Sequence, residues 1–104
     1  MRLINTDTLQ LADFSGVSRK PAYAILSHTW GDDEVSYQDF QNLELAQTRD
    51  GFDKINYLCW QARAHGLQYA WVDTCCINKN SSSELVEAIN SMWSYYMNCS
   101  VCYV

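Results

Sequence analysis

The order of its apolar segments constrains the fold of this 104-residue chain more than any other feature. Tyr23–Leu26 and residues 67–72 form two largely apolar runs, and a third begins in the final residues, "SVCYV". Such runs are typical of strands that are buried on both faces. Between them, residues 53–65 and 81–98 carry apolar side chains at a spacing of three and four, which predicts two amphipathic helices. This alternation predicts an α/β fold, with right-handed crossovers and a parallel sheet that helices flank.

Residues at the ends of both segments support the helices. Asp53 lies near the start of the first helix, where the helix dipole favours an acidic residue. Gly66 follows the end of the same helix, where glycine is the usual C-capping residue. Ser81 and Glu84 have the spacing of a capping box, in which each side chain bonds the backbone N–H of the other residue. The expected buried faces are Ile55, Leu58, Cys59 and Ala62 in the first helix, and Leu85, Ala88, Ile89, Met92, Trp93 and Tyr96 in the second.

The remaining segments are shorter and less regular. The N-terminal stretch "MRLINTDTLQLADF" alternates apolar with polar residues, which predicts a strand or hairpin at an edge of the sheet. Residues 32–50 are acidic and polar with weak apolar spacing, and predict a loop with one short helix.

The composition limits which partners and which cellular location can be expected for the chain. A hydrophobic content of 48% is enough for a packed core, and we expect a single domain over residues 1–104. The net charge is −5 and the seven Lys and Arg residues are scattered, which argues against a nucleic-acid partner and against an anionic membrane surface. No apolar run approaches the roughly 18 residues that span a bilayer. Five cysteines, an odd number, and no secretory signal favour a reducing, cytoplasmic location.

Two polar loops follow the first two core strands, and they are the strongest candidates for a site. "SHTWGDD" follows the first strand and "DTCCINK" the second. In an open α/β sheet, ligands bind at the carboxyl ends of the strands, so both loops are expected at one edge. The candidate binding residues are His28, Trp30, Asp32 and Asp73, with Trp30 offering a stacking face and His28 a group that titrates near neutrality. The alternative is structural: the carboxylates cap turns, and His28 bonds a carbonyl.

Other chemistry-bearing residues have simpler structural explanations. Cys75 and Cys76 are adjacent, and Cys99 and Cys102 are three apart on an extended segment, so neither pair presents converging thiolates to a metal. Glu84 is explained by the capping box. The chain has no phosphate-binding glycine loop, no serine elbow and no His–Glu metal motif, so the residues alone indicate no catalytic group and no metal.

Three motifs in order carry a resemblance to a known family. "YAILSHTWGDDEVSYQDF", "GLQYAWVDTCCINK" and "SSELVEAINSMWSYY" resemble the fungal heterokaryon-incompatibility (HET) domain, over residues 22–34, 51–79 and 84–103. One departure is Lys79, where the family more often has Gln. The resemblance implies a cytoplasmic signalling domain for non-self recognition and programmed cell death, which acts by self-association or by binding a protein partner.

A more distant resemblance links the chain to Toll/interleukin-receptor (TIR) domains. "YAILSHTWGDD" is similar to their first strand and loop, which implies a flavodoxin-like sheet truncated here after the third core strand. Some TIR domains cleave NAD with a helical glutamate. The resemblance therefore makes NAD a candidate ligand and NAD hydrolysis an alternative function, but it places the catalytic glutamate beyond residue 104. The resemblance also implies that the chain is the N-terminal portion of one domain. We expect this portion to be inactive as an enzyme, and to be either marginally stable or self-associating.

Overall fold

A five-stranded mixed sheet forms the centre of the computed structural model, which describes all 104 residues. The strands are β1 (Arg2–Asn5), β2 (Leu11–Asp13), β3 (Tyr23–Leu26), β4 (Tyr69–Trp71) and β5 (Val101–Tyr103), in the spatial order β2-β1-β4-β3-β5. The helices are α1 (Tyr37–Phe40), α2 (Leu43–Ala46), α3 (Phe52–Ala64) and α4 (Ser82–Asn98). None of the four helices is long and apolar enough to cross a membrane.

The sheet is parallel at one side and antiparallel at the other. β3 pairs in parallel with β4 and β5, whereas β1 is antiparallel to both β2 and β4. The prediction of a wholly parallel sheet is therefore wrong, and the predicted flavodoxin-like topology is not confirmed. The reason is the tight turn after β1, where the Asn5 side chain accepts the backbone N–H groups of Asp7 and Thr8. So short a turn joins only antiparallel neighbours. Leu3 and Ile4 are fully buried, so β1 lies inside the sheet beside β4 and leaves β2 at its edge.

Helix α3 packs on the sheet as its sequence predicts. Ile55, Leu58, Cys59 and Ala62 are all buried, and α3 contacts β3 and β4. Gly66, at φ +76°, ends the helix in the left-handed region, and Leu67 then donates its N–H to the carbonyl of Ala62 at 2.8 Å.

Helix α4 lies on the opposite face of the sheet. The chain moves from β3 to β4 and then back past β3 to β5, and right-handed crossovers in the two directions use opposite faces. The Trp71 ring meets the rings of Tyr95 and Tyr96 edge-on, with centroids 5.5 and 6.2 Å away. The predicted buried face of α4 is only partly confirmed, because Ile89 and Trp93 are exposed. Tyr95, which the spacing did not single out, packs against the core instead.

Two local predictions also need correction. The Ser81 hydroxyl accepts the N–H of Glu84, but the Glu84 carboxylate accepts the N–H of Asn78 and pairs with Arg2. The capping box is thus only half formed, because a cation from β1 competes for the acid. Residues 32–50 hold two short helices, α1 and α2, rather than one, and each begins at a side-chain cap from Ser36 or Asn42.

Candidate functional site

The two polar loops meet at one edge of the sheet because β3 and β4 are parallel neighbours. Ser27 to Gly31 follow β3, and Val72 and Asp73 follow β4. His28 Nε2 lies 3.0 Å from Asp73 Oδ1, and Trp30 donates its indole N–H to Asp73 Oδ2 at 3.1 Å. Three of the four predicted site residues are therefore in one hydrogen-bonded cluster, in which a single carboxylate holds both rings.

A lysine and a glutamate enclose the other side of the imidazole. Lys54 Nζ lies 3.5 Å from His28 Nδ1 and 2.8 Å from Glu34 Oε2, and it also donates to the carbonyl of Thr29 at 3.0 Å. The side chains of His28 and Glu34 are only 9% and 8% exposed. The cluster thus combines a histidine, a lysine and two carboxylates. Its inner members, His28 and Glu34, are largely shielded from water, whereas the side chains of Lys54 and Asp73 are 39% and 27% exposed.

The pKa of Glu34 shows how this pairing works. Burial alone would raise the pKa of the carboxyl, but the hydrogen bonds from Lys54 and from the Gly31 backbone, together with the positive charge of Lys54, hold it below its usual value. Glu34 is thus an anion at neutral pH that fixes Lys54 and the backbone of the loop.

Lys79 joins the cluster from the loop after β4. Its ammonium lies 3.7 Å from the centroid of the Trp30 ring and donates to the backbone carbonyl of Asp73 at 2.8 Å. Burial lowers the pKa of Lys79, although the nearby carboxylate of Asp73 opposes the shift. The side chain that departs from the HET pattern therefore covers one face of Trp30, and it binds the same residue that anchors the indole N–H.

Asp32, the fourth predicted residue, does not join the cluster. It is exposed, whereas its neighbour Asp33 accepts the N–H of Asp50 at 2.8 Å through its side chain and the N–H of Gly51 at 2.8 Å through its backbone. Asp33 thereby ties the loop to the start of α3. Sequence reasoning also missed Glu34 and Lys54. The only signal for Lys54 was its place in the first turn of α3, at the same end of the domain as the two loops.

A shallow cavity of about 660 Å³ opens beside the cluster. The residues that line it combine hydroxyl, imidazole, carboxylate, ammonium and phenol groups with two aliphatic side chains: Leu26, Ser27, His28, Thr29, Asp53, Lys54, Tyr57 and Val104. This mixture suits a polar ligand with a flat or ring-shaped part. The cavity lies at the carboxyl ends of parallel strands, where ligands of open α/β sheets bind.

The cysteines are not part of this site. Cys59 on α3 and Cys75 and Cys76 in the loop after β4 are buried, and burial raises the pKa of Cys59 to about 12 and that of Cys75 as well. Cys102 is the single exposed thiol. No group of three or more His, Cys, Asp or Glu side chains is arranged to hold a metal ion.

Comparisons with known proteins agree on one family. The sequence profile of the family described as "Heterokaryon incompatibility protein (HET)" matches residues 23–104, which include both loops of the cluster. The chain is 51% identical over 86 residues to the vegetative incompatibility protein HET-E-1 of Podospora anserina. The match covers 81% of this chain but 6% of that much longer relative. No solved structure matches significantly. The chain belongs to the heterokaryon incompatibility (HET) family.

Proposed function

We propose that this chain acts as a cytoplasmic HET signalling domain in fungal non-self recognition, and that it triggers programmed cell death by contacting a protein partner or a second copy of itself. The observation that carries the proposal is the 51% identity to a vegetative incompatibility protein, over a match that covers 81% of the chain. The activity of that relative belongs to a far longer protein, so the domain is proposed to contribute the trigger and not the whole response.

The geometry of the cluster supports binding better than catalysis. His28 is held by Asp73 on one side and faces Lys54 on the other, and Glu34 is paired with Lys54, so the charged groups of the cluster bind one another and hold the loop in place. Trp30 remains 49% exposed and is backed by Lys79. An aromatic side chain held at the rim by a charged network is a typical anchor for a protein partner.

Controlled expression in a filamentous fungus tests the proposal. Induction of the native chain is expected to stop growth and kill cells, and Trp30→Ala is expected to weaken the response. Trp60→Ala is the matched control, because Trp60 is a comparably exposed tryptophan, 58% exposed, that lies on α3 and outside both loops. A chain that never affects viability, or two tryptophan variants with equal effects, would contradict the proposed role of the loop.

The cavity beside His28 favours a second candidate, in which this edge binds NAD and belongs to a TIR-like NAD glycohydrolase. Lys54 and Tyr57 would offer a charge and a ring to a dinucleotide. Calorimetric titration of the chain with NAD tests this candidate, with His28→Ala beside it. Saturable heat in the native chain that His28→Ala abolishes supports the nucleotide site, and a flat titration argues for the protein-binding role alone.

A further inference from the structure

The ammonium group of Lys54 uses all three of its hydrogen atoms on the loop that carries His28. It donates to the Glu34 carboxylate at 2.8 Å, to the carbonyl of Thr29 at 3.0 Å and to His28 Nδ1 at 3.5 Å. A lysine ammonium has three donors and no acceptor, so Lys54 has no hydrogen left for another partner. Of the three acceptors, only the imidazole nitrogen becomes a donor when the pH falls from neutral to mildly acidic.

The neighbours of His28 determine which of its ring nitrogens carries the hydrogen. Asp73 Oδ1, 3.0 Å from Nε2, can only accept a hydrogen bond, so Nε2 is the donor. Lys54 can only donate, so Nδ1 presents its lone pair to the ammonium. While it contacts both residues, His28 is therefore a neutral imidazole in the Nε2–H form.

A second proton on His28 is incompatible with the contact to Lys54. The proton would occupy the lone pair of Nδ1, so the ring would turn a donor and a positive charge toward an ammonium 3.5 Å away. Two positive charges at this distance repel each other, and the imidazole is only 9% exposed to water. Asp73 keeps its hydrogen bond to Nε2, because a charged donor strengthens that bond. Protonation therefore separates His28 from Lys54 and leaves it attached to Asp73.

Glu34 is placed to accept the new hydrogen on Nδ1. Its Oε2 lies 4.0 Å from that nitrogen, and the same oxygen accepts hydrogen bonds from Lys54 and from the backbone N–H of Gly31. The Thr29 carbonyl and the Gly31 N–H belong to the two peptide groups on either side of Trp30. The Lys54–Glu34 pair thus holds Trp30 in place through its flanking backbone, and it loses that hold when Glu34 turns to the charged ring.

The other titratable groups around the ring leave this exchange unchanged. They are Asp53 and Tyr57 on α3, Lys79 after β4 and Tyr96 on α4, and no hydrogen bond joins any of them to the imidazole. Asp53 is exposed, so water and salt screen its charge. Lys79 donates to the backbone of Asp73, and burial raises the pKa of Tyr96, which keeps that phenol neutral.

We propose that His28 is a proton-operated switch for the loop that carries Trp30. With His28 neutral, Lys54 bonds the imidazole and, together with Glu34, fixes the two peptide groups beside Trp30. When Nδ1 takes up a proton from solvent, Lys54 leaves the ring, Glu34 accepts from Nδ1, and the N–H of Gly31 loses its acceptor. The loop is fixed at neutral pH and released by mild acid. This inference deepens the proposed function, because it names how the proposed partner-binding loop is regulated.

Nuclear magnetic resonance of the isotope-labelled chain tests the state of the ring. The chain has two histidines, and His65, which is exposed at the other end of α3, is the internal reference. Above neutral pH, proton–nitrogen spectra of the rings are expected to show His28 with a hydrogen on Nε2 and none on Nδ1. A hydrogen on Nδ1 at that pH would overturn the proposal.

The backbone amide of Gly31 reports the movement of the loop. Its resonance should shift with the same pH midpoint as the ring nitrogens of His28, because its acceptor leaves when the ring is charged. Gly16, in the loop after β2, is the matched control and should not follow this titration. His28→Gln should abolish the shift of Gly31 near neutral pH and keep only its response to Glu34 below pH 4.5. A Gly31 amide that ignores the titration of His28 would overturn the proposal.

Two substitutions should move the midpoint of His28 in opposite directions. Lys54→Met removes the repelling cation and is expected to raise the midpoint by about one pH unit or more, and Asp73→Asn is expected to lower it by a similar amount. Circular dichroism checks that both variants fold, and shifts in the same direction would refute the switch. A chain that titrates as expected but never arrests fungal growth would count against the proposed function alone. A chain that arrests growth while Gly31 ignores His28 would count against the switch alone.

Discussion

His28 and Asp73, 45 residues apart in the chain, lie 3.0 Å apart between Nε2 and Oδ1. The contact exists because β3 and β4 are parallel neighbours, so the residues that follow them leave the sheet at the same edge. Asp73 also accepts the indole N–H of Trp30. One carboxylate therefore determines the positions of both rings in the opposite loop.

Removal of the Asp73 carboxylate is expected to destabilise the fold. Asp73→Ala leaves the N–H of Trp30 and the imidazole of His28 without their acceptor, which costs about 1–3 kcal/mol in the free energy of unfolding. Asp32→Ala is the matched control, and its effect should stay within about 0.5 kcal/mol because Asp32 is exposed. Urea unfolding followed by tryptophan fluorescence measures both values. Equal effects of the two variants would show that Asp73 does not organise the loop.

Glu34 is expected to make the fold sensitive to acid. Its pKa in the folded chain lies below the usual value of 4.5, so the unfolded chain binds the proton more readily. The stability that Glu34 contributes is present above pH 4.5 and is lost as the pH falls through the lower, folded value. Glu34→Gln should therefore flatten the decline in the free energy of unfolding below that pH. Denaturant titrations between pH 3 and pH 7 give the two profiles.

A second variant removes the positively charged partner of Glu34. Lys54→Met removes the cation that lowers the pKa, so it should reduce stability at neutral pH and flatten the same acid decline. Native and Glu34→Gln profiles that run parallel through the acid range would refute the role given to this pair.

Gly51, and not Gly31, is the glycine that the site requires. A Cβ at Gly51 would lie 2.9 Å from the Cα of Glu34 and 3.1 Å from the carbonyl oxygen of Asp33, whereas a Cβ at Gly31 meets no atom closer than 3.4 Å. Gly51→Ala should cost about 1–3 kcal/mol, the usual range for overpacking, and Gly31→Ala much less. Thermal melts of the two variants make the comparison. Equal melting temperatures would mean that the two chain segments separate easily.

The five thiols are expected to react in a fixed order. Cys102, which is exposed, should be alkylated first, and Cys99 more slowly because burial raises its pKa. Cys59, Cys75 and Cys76 should react only after unfolding, since all three are buried. Mass spectrometry of peptides after timed labelling gives the order. Rapid labelling of Cys59 in the folded chain would contradict the packing of α3 on the sheet.

Sequence reasoning succeeded where a signal is local and periodic. The buried face of α3, the stop at Gly66 and the first two core strands all follow from spacing within a few residues. It failed for β1, where the same alternation is compatible with an edge strand and with a strand inside the sheet. It also failed for the outer side of α4, because apolar spacing shows which side chains share a side but not how much of that side the sheet covers.

The residues of the candidate site fall into the same two groups, those predicted from the sequence and those found only in the structure. The sequence by itself determined that His28, Trp30 and Asp73 follow core strands and so lie near one edge, and its motifs determined the family. Only the tertiary structure decided that Glu34 and Lys54 complete the cluster and that Asp32 is left out. The physical reason is that a strand and the loop after it are recognised from neighbouring residues, whereas ion pairs depend on how a loop and a helix from distant segments are packed together.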